Sequence, residues 1–163
     1  MKVSVIIPFL NIEDYLDKCL SSVVNQTLDP SEYEIVAVND CSTDDSCHIV
    51  ERYMSRAPNI VLLHTTKCLG PGNARNVGLK SARGEFIFFL DGDDYVEETA
   101  IEDLYDTAMS KNADVVIGQV PYDGTTSYQP GARFGPRAII DASRQVEFYD
   151  LELKRDVAAK VKI

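Results

Sequence analysis

The amino-acid sequence predicts an α/β fold: a doubly wound, mainly parallel sheet with helices on both of its faces. Two observations carry this prediction. Short apolar runs rich in β-branched residues alternate with amphipathic helical segments, and the connections between them are short. Such alternation produces right-handed βαβ units and therefore parallel strands. The first run, Val3–Phe9, is almost continuously apolar, as expected of a strand that is covered on both faces.

The individual elements follow from the periodicity of the apolar residues. Strands are expected at Val3–Phe9, Glu34–Val38, Ile60–His64, Glu85–Leu90 and Asp114–Gly118. Helical spacing predicts a first helix from Leu16, Leu20, Val23 and Val24, a second from Ile49, Val50 and Tyr53, and two more over Gly72–Ala82 and Glu97–Met109. The segment Ser42–Asp45 resembles an N-terminal cap for the second helix.

Length and charge limit the functions that this chain can have. Its 163 residues are enough for one domain with a substantial core. The formal net charge of −10 excludes the wrapping of a nucleic-acid backbone, whose phosphates must be neutralised by cations. No apolar run approaches the roughly 20 residues that span a bilayer. Four scattered cysteines without a CxxC pair predict reduced thiols and hence a cytoplasmic protein.

The strand–helix alternation covers residues 1–120 and then decays. Glycines, prolines and hydroxyl residues in Pro121–Pro136 predict a loop, and residues 121–163 hold only a few further candidate elements. We therefore expect one α/β domain at 1–120, and at 121–163 a loop and the beginning of a second region. The strand–helix alternation breaks off without a clear final element. We therefore expect this chain to be the front part of a longer protein.

Candidate site residues follow the predicted strands, because ligands bind beyond the carboxyl ends of the strands in such sheets. Asp91-Gly92-Asp93-Asp94 comes directly after an apolar strand. Crowded carboxylates repel one another, and a hard divalent ion such as Mg²⁺ or Mn²⁺ relieves this while bridging to a substrate phosphate. Gly92 is expected to allow a tight turn that brings two acids together. The alternative is that these acids only begin the next helix.

Two further residues lie at predicted strand ends. Asp40 follows the second strand and can accept an N–H from a bound base; uracil, thymine and guanine would all serve. The alternative is that it caps the following helix or turn. Arg75 opens a helix after Gly70 and Gly72 and is a fork-shaped donor for a base or a phosphate, or else forms a surface salt bridge. The two glycines are not a dinucleotide fingerprint, because they follow the third strand and lack the third glycine. His64 and Cys68 lack further ligands for zinc.

Four motifs, taken together, resemble family 2 glycosyltransferases of the GT-A fold. They are Val3–Asn11, Val38–Asp44, Gly72–Gly78 and Gly84–Asp94, and they occur in order at suitable intervals. The resemblance covers about residues 1–120, the nucleotide-sugar-binding half of that family. It implies transfer of a sugar from a nucleoside-diphosphate donor, usually linked to UDP, to an acceptor hydroxyl, with inversion at the anomeric carbon.

The resemblance also implies roles for individual residues. Asp40 would contact the uracil base, Arg75 would lie over the base or its loop, and Asp91 would contact the ribose. Asp93 would bind Mn²⁺ or Mg²⁺, which holds the diphosphate. Gly92 would be a further nucleotide-binding position. Pro8 and Asn11 would shape the wall of the site near the nucleoside.

This sequence departs from the family pattern at two places. Asn39 stands where an aspartate often precedes Asp40. More importantly, no segment matches the family's catalytic base, although Asp141, Asp150 and Asp156 are available; the base is expected beyond this chain. That gap keeps a non-catalytic nucleotide-binding module of the same fold as an alternative. A two-component receiver domain is disfavoured, because it needs an acidic pair after the first strand.

The partners expected from this interpretation are a nucleotide-sugar donor and a polysaccharide, cell-wall polymer or other carbohydrate acceptor. The Gly-Pro-Gly loop resembles that of members which decorate polyol-phosphate polymers of the cell wall. No nucleic-acid partner is expected. Peripheral association of the longer protein with the inner face of a membrane is a further hypothesis.

Overall fold

The computed structural model describes residues 1–116, 149–150 and 155–156. The chain divides into two compact units, Met1–Tyr105 and Asp106–Ile163. The first unit contains the main sheet. In the second, the strands β5 (Tyr149–Asp150) and β6 (Arg155–Asp156) form an antiparallel pair. None of the helices in these ranges is long and apolar enough to cross a membrane.

The main sheet has four parallel strands, which confirms the predicted fold class. They are β1 (Val3–Phe9), β2 (Tyr33–Asn39), β3 (Ile60–His64) and β4 (Phe86–Phe89), in the spatial order β3-β2-β1-β4. Strand β1 is central: it pairs with β2 along its whole length and with β4 over its first half. Each strand is connected to the next by a helix, as the alternation of the sequence predicted.

Four helices accompany the strands of the sheet. They are α1 (Glu13–Val24), α2 (Ser46–Met54), α3 (Pro71–Ser81) and α4 (Ala100–Lys111). Helix α4 begins three residues later than predicted, because the preceding carbonyls bond elsewhere. The Glu97 carbonyl accepts from the Gln26 amide, at 2.7 Å, and the same side chain caps the helix by accepting the Ile101 N–H at 2.9 Å. The sequence pattern of α4 alone contains no sign of this cap.

The fifth strand predicted at Asp114–Gly118 is not borne out where it can be judged. Residues 114–116 form no strand, and 117–118 lie outside the described part of the chain. Helix α4 continues two residues beyond its predicted end. Asn112 then adopts a left-handed conformation, and the Ala113 N–H donates back to the Ala108 carbonyl at 2.9 Å. The backbone is therefore still closing a helix terminus just before the expected strand.

The core lies on both faces of the sheet, and alternate residues of β1 contribute to each. Val5 and Ile7 pack with Leu16 and Leu20 of α1 in the larger cluster. Ile6 points the other way and packs with Ala74 of α3 in a smaller cluster. A strand that is completely buried must be apolar at every position, which explains the continuous apolar run in the sequence.

An ion pair between the exposed Arg83 side chain and a buried carboxylate holds the opposite edge of the sheet, where β1 and β2 begin and α3 returns to β4. The Glu34 carboxylate is almost completely buried and accepts from the Ser4 hydroxyl at 2.7 Å. It also accepts from the Arg83 main-chain N–H at 2.7 Å and from the Arg83 guanidinium at 2.6 and 2.9 Å. Burial opposes ionisation of Glu34, but the bonds from Arg83 and Ser4 outweigh it and lower its pKa.

We expect Glu34→Gln to lower the free energy of unfolding by about 2 kcal/mol at pH 7, because a charged acceptor with several donors is lost. Because the pKa of Glu34 is lower in the folded protein than in the unfolded chain, its ionised form stabilises the fold. This stabilisation is complete above the unfolded pKa and is lost as the pH falls through the folded pKa. The difference from wild type should therefore shrink below pH 4.5, the ordinary value for Glu. Urea unfolding at several pH values measures both effects.

Glu32→Gln is the matched control, because Glu32 makes an ion pair with Lys2 that is one-third exposed. Its loss should cost less than about 1 kcal/mol. Equal losses for the two variants would contradict the structural role assigned to Glu34.

Gly84 is the second constraint at this edge. A Cβ atom built there would collide with the Ser4 main-chain nitrogen and lie 2.6 Å from the Val3 carbonyl carbon. Backbone cannot move aside as a flexible side chain can. We expect Gly84→Ala to cost about 1–3 kcal/mol in thermal or urea unfolding. Gly72→Ala is the control: nothing lies within 4 Å of its Cβ position on α3, so it should be neutral or slightly stabilising. A neutral Gly84→Ala would show that the edge can relax.

Candidate functional site

The carboxyl ends of the four parallel strands bring the predicted site residues to one edge of the sheet. Asn11 follows β1, Asp40 follows β2, the loop Thr65–Gly70 follows β3, and Asp91 lies just after β4. In the strand order, β2 and β4 flank β1, so these two strands lie about 10 Å apart across the sheet. This edge therefore collects Asp40 and the acidic turn, as the sequence predicted for a parallel sheet.

Asp40 is buried and held by two donors from the loop after β3. Its side chain is 2% exposed. One carboxylate oxygen accepts from the Thr65 hydroxyl at 2.7 Å, and the other accepts from the Gly70 N–H at 2.7 Å. Each oxygen keeps a further lone pair. The carboxylate is thus fixed in orientation and can still accept an N–H from a ligand.

The acidic turn after β4 is held by Arg75. The guanidinium of Arg75 forms an ion pair with the Asp91 carboxylate, with both side chains partly exposed. The Asp94 N–H donates to the Asp91 carbonyl at 3.0 Å and closes the turn. Arg75, predicted to lie near the base or its loop, is thereby brought to the residue that the resemblance assigns to the ribose.

Gly92 serves close packing rather than an unusual backbone conformation. Among the described glycines, only Gly70 has a positive φ. A Cβ atom on Gly92 would instead lie 2.5 Å from Cδ1 of Ile12 and 3.3 Å from the Pro8 carbonyl oxygen. The tight turn expected at Gly92 is present. Glycine serves it by lacking a side chain, which lets the acidic turn lie against the end of β1.

Pro8 explains why there is room for this turn. Pairing of β1 with β4 ends at Ile6, whose carbonyl accepts the Leu90 N–H at 3.1 Å. Pro8 is the next residue of β1 that faces β4, and it has no N–H with which to continue the ladder. The chain after β4 is therefore free to turn across the end of β1.

The electrostatics of the turn favour a cation. Burial, followed by the carboxylates of Asp93 and Asp91, raises the pKa of Asp94. Burial and the same three acids raise the pKa of the Cys19 thiol to about 12. That thiol donates to the Asp91 carbonyl at 3.7 Å. Arg75 therefore leaves uncompensated negative charge around Asp93 and Asp94.

The donor set at the turn fits a metal that is shared with a substrate. Carboxylate oxygens are the ligands that Mg²⁺ and Mn²⁺ prefer. Within residues 1–116 and the two short strands, however, no group of three or more His, Cys, Asp or Glu side chains could hold an ion unaided. Asp93 is exposed. An ion bound there would take its other ligands from phosphate oxygens and water, as Mg²⁺ commonly does.

Asn11 connects the loop after β1 to the loop after β2. It adopts φ +51°, and its side-chain oxygen accepts the Thr43 N–H at 2.8 Å. Its own N–H donates to the Ser42 hydroxyl at 3.1 Å. Asn11 thus shapes the wall of the site through the backbone of the neighbouring loop.

The starts of α1 and α2 cap each other, and Asp44 of the predicted capping segment Ser42–Asp45 serves both helices. Asp45 occupies the N-cap position of α2, but its side chain makes no capping bond. Asp44 instead accepts the Ser46 N–H at 3.1 Å and the Glu13 N–H at 3.0 Å. Glu13 in return accepts the Asp45 N–H at 2.7 Å, and the Ser46 hydroxyl accepts the Ile12 N–H at 3.1 Å.

The expectation that all four cysteines are reduced is wrong for two of them. Cys41 and Cys68 form a disulfide, with Cα atoms 5.7 Å apart and 27 positions apart in sequence. They meet because β2 and β3 are adjacent parallel strands, so the loops at their carboxyl ends lie side by side. Sequence spacing could not reveal this pairing. Cys19 and Cys47 are free thiols.

Sequence reasoning missed two residues of the site, Thr65 and Asp44. Thr65 carries no motif, and its bond to Asp40 arises only from the neighbouring positions of β2 and β3. Asp44 was assigned to a single helix, whereas it serves the starts of two helices. One feature of the sequence could have indicated the role of Asp44. It lies between two predicted helices whose N-termini are both at the edge formed by the carboxyl ends of the strands.

Comparison with known proteins identifies the class that this fold and site define. The family model described as glycosyl transferase family 2 matches residues 4–153. The chain therefore belongs to glycosyl transferase family 2, which confirms the resemblance drawn from its motifs.

Two curated relatives illustrate the similarity. The poly(ribitol-phosphate) beta-glucosyltransferase of Bacillus spizizenii is 40% identical over 74% of this chain and 19% of its own length. The poly(ribitol-phosphate) beta-N-acetylglucosaminyltransferase TarP of Staphylococcus aureus is 36% identical over 99% of this chain and 51% of its own length. The chain thus spans between about a fifth and a half of these relatives.

Solved structures agree with the sheet topology. Residues 1–349 of S. aureus TarS, crystallised with UDP-GlcNAc, give a TM-score of 0.71 at 37% identity, covering 79% of this chain and 37% of that one. The mannosyltransferase PcManGT of Pyrobaculum calidifontis, in complex with GDP-Man and Mn²⁺, gives 0.55 at 28% identity over 58% of this chain and 28% of its own. The fold is that of the GT-A glycosyltransferases.

We expect Asp44→Ala to cost about 1–2 kcal/mol of unfolding free energy, because it removes the acceptor for two helix-start N–H groups. Asp45→Ala is the adjacent control, since the Asp45–His48 pair is about four-fifths exposed, and its effect should lie within about 0.5 kcal/mol. Urea unfolding of both variants measures the difference. A larger loss for Asp45→Ala would mean that Asp45, and not Asp44, is the residue that caps α2.

Proposed function

We propose that this chain is the donor-binding domain of an inverting, metal-dependent glycosyltransferase that uses a UDP-sugar. The observation that carries the proposal is the arrangement of Asp40 and the acidic turn along one edge of the sheet. A buried, oriented carboxylate at β2 suits the N–H edge of a uracil base. The turn after β4 lies two strands away, a distance that suits a ribose and a diphosphate.

The sugar-transfer step would proceed by a single displacement. The acceptor hydroxyl oxygen forms a bond to the anomeric carbon while the bond from that carbon to the β-phosphate oxygen breaks. The bonding electrons leave with UDP, and the hydroxyl proton passes to a base. Attack opposite to the leaving group inverts the anomeric configuration.

The residues of this chain would bind and orient the donor for that step. Asp40 accepts from the base, and Asp91, held by Arg75, lies where a ribose hydroxyl can donate to it. Asp93 would hold Mn²⁺ or Mg²⁺, an ion that supplies Lewis-acid stabilisation of the departing diphosphate. Burial and, after it, repulsion from Asp93 and Asp91 raise the pKa of Asp94. A cation would relieve the repulsion, which supports this assignment.

The residues that the structure describes identify no catalytic base. Asp141 falls outside the described residues. Asp150 and Asp156 belong to the short strands of the second unit, and no observation connects either of them to the site. A non-catalytic nucleotide-binding module is the second candidate function, because none of the described residues is identified as a base.

The acceptor is proposed to be a polyol-phosphate or related cell-wall polymer. The support is that two of its relatives are poly(ribitol-phosphate) glycosyltransferases. We further propose a cytoplasmic location, with the longer protein at the inner face of the membrane, because nucleotide-sugar donors derive from intracellular nucleotides. Fractionation of cells that express the full-length protein tests the location.

Calorimetric titration with UDP tests donor binding. We expect binding in the presence of Mn²⁺ or Mg²⁺, and a loss of about tenfold or more in affinity when the metal is chelated, because the diphosphate then faces bare carboxylates. Asp93→Ala should abolish the metal dependence. Asp103→Asn, on an exposed position of α4, is the control and should bind like wild type.

Two results would contradict the proposal in different ways. Binding that is equally tight without metal would remove the role of Asp93 while keeping the nucleotide site. No binding of UDP under either condition would remove the nucleotide site itself. Slow hydrolysis of a UDP-sugar by the wild-type chain, absent in Asp93→Ala, would favour the enzyme over the non-catalytic module.

A further inference from the structure

The loop Thr65–Gly70 reaches Asp40 through three separate connections. The first is the Thr65 hydroxyl on one carboxylate oxygen, and the second is the Gly70 N–H on the other, both at 2.7 Å. The third is covalent: Cys68 of the loop is joined to Cys41, the residue directly after Asp40. Two of the connections end on the buried carboxylate proposed to read the base, and the third ends on the residue next to it.

The loop is otherwise exposed, which makes these connections important for its order. Thr65 continues the strand pairing through its N–H, which donates to the Asn39 carbonyl at 3.0 Å. Residues 66–69 are exposed, and Leu69 leaves 66% of its surface in solvent. Gly70 adopts φ +86° just before α3 begins. An exposed segment with little burial orders only through specific contacts, because it gains little from apolar packing.

Cys41 also occupies a constrained position. It adopts φ +72°, which is unfavourable for a residue with a side chain, and its sulfur lies 3.8 Å from the Thr65 hydroxyl oxygen. The bond to Cys68 thus joins two backbone segments next to the Asp40–Thr65 contact. Breaking it would free both segments at the point where the carboxylate is oriented.

We propose that the Cys41–Cys68 disulfide is a redox-sensitive clasp that holds the loop Thr65–Gly70 on Asp40 and thereby sets the affinity for the nucleotide. In the oxidised form, Asp40 is already oriented and binding need not order the loop. In the reduced form, part of the binding free energy is spent on ordering the loop, so affinity falls. The proposal rests on the proposed nucleotide-binding function.

The chemistry of the clasp is ordinary thiol–disulfide exchange. A dithiol reductant passes two electrons and two protons to the sulfurs of Cys41 and Cys68 and itself closes to a cyclic disulfide. A disulfide in a protein proposed to be cytoplasmic is of the kind that forms transiently and responds to redox conditions. The other two thiols are unsuited to exchange here: Cys19 is buried with a raised pKa, and burial also raises the pKa of Cys47.

The experiment compares the full chain before and after treatment with dithiothreitol, with the thiol state counted by alkylation and mass spectrometry. Hydrogen–deuterium exchange of the peptide covering 65–70 reports the loop without any ligand. Titration with UDP and Mn²⁺ reports affinity. We expect faster exchange in the loop and about five- to tenfold weaker UDP binding after reduction, with an unchanged far-UV spectrum.

Variants separate the clasp from general effects of reduction. The double variant Cys41→Ser, Cys68→Ser should behave like the reduced protein, and dithiothreitol should change neither its loop exchange nor its affinity for UDP. Cys47→Ser should respond as wild type does. Thr65→Val should weaken UDP binding even when oxidised, and Thr65→Ser, which keeps the hydroxyl, should restore it.

The outcomes distinguish this proposal from the proposed function. Equal loop exchange in the two redox forms would overturn the clasp. Faster exchange with unchanged or tighter UDP binding would overturn its control of affinity. If neither form binds UDP, the proposed function and the control of affinity both fall, and the exchange data alone decide whether the disulfide orders the loop.

Discussion

The pairing of β1 with a parallel strand on each side is the constraint on which the site depends. It aligns the carboxyl ends of β2, β1 and β4, so that residues distant in sequence arrive at one edge. Pro8 then interrupts the pairing with β4 by removing a donor. The acidic turn occupies the resulting space. It lies against the end of β1 because Gly92 has no side chain to keep the two apart. One missing N–H and one missing Cβ therefore allow the turn to reach its position.

Charge at this edge is unevenly balanced. Arg75 compensates Asp91. Burial, followed by repulsion from Asp93 and Asp91, raises the pKa of Asp94. At the opposite edge, the Glu34 carboxylate is buried but accepts enough hydrogen bonds to stay ionised. One edge is thus electrostatically satisfied and stabilises the fold. The other keeps unbalanced negative charge, which a metal-bound diphosphate would relieve.

The loops of the site are stabilised by one another rather than by their own helices. Asn11, Asp44 and Glu13 exchange hydrogen bonds between the loops after β1 and β2, and Thr65 and Gly70 bind Asp40 across the next gap. Such cross-connections couple ligand binding to loop order, because loosening one loop releases the donors of the next. The disulfide at Cys41 adds a covalent member to this set.

Periodicity and composition by themselves determined the strands of the sheet, the four helices and the class of fold, because a strand buried on both faces needs an unbroken apolar run. They also located Asp40, Arg75 and the acidic turn, since a parallel sheet gathers its functional residues at the strand ends. Only the tertiary structure decided the Cys41–Cys68 bond, the role of Thr65 and the shared caps of α1 and α2. Each of these joins residues that are about 25 to 32 positions apart, and such contacts depend on which strands are neighbours, which local sequence patterns do not encode.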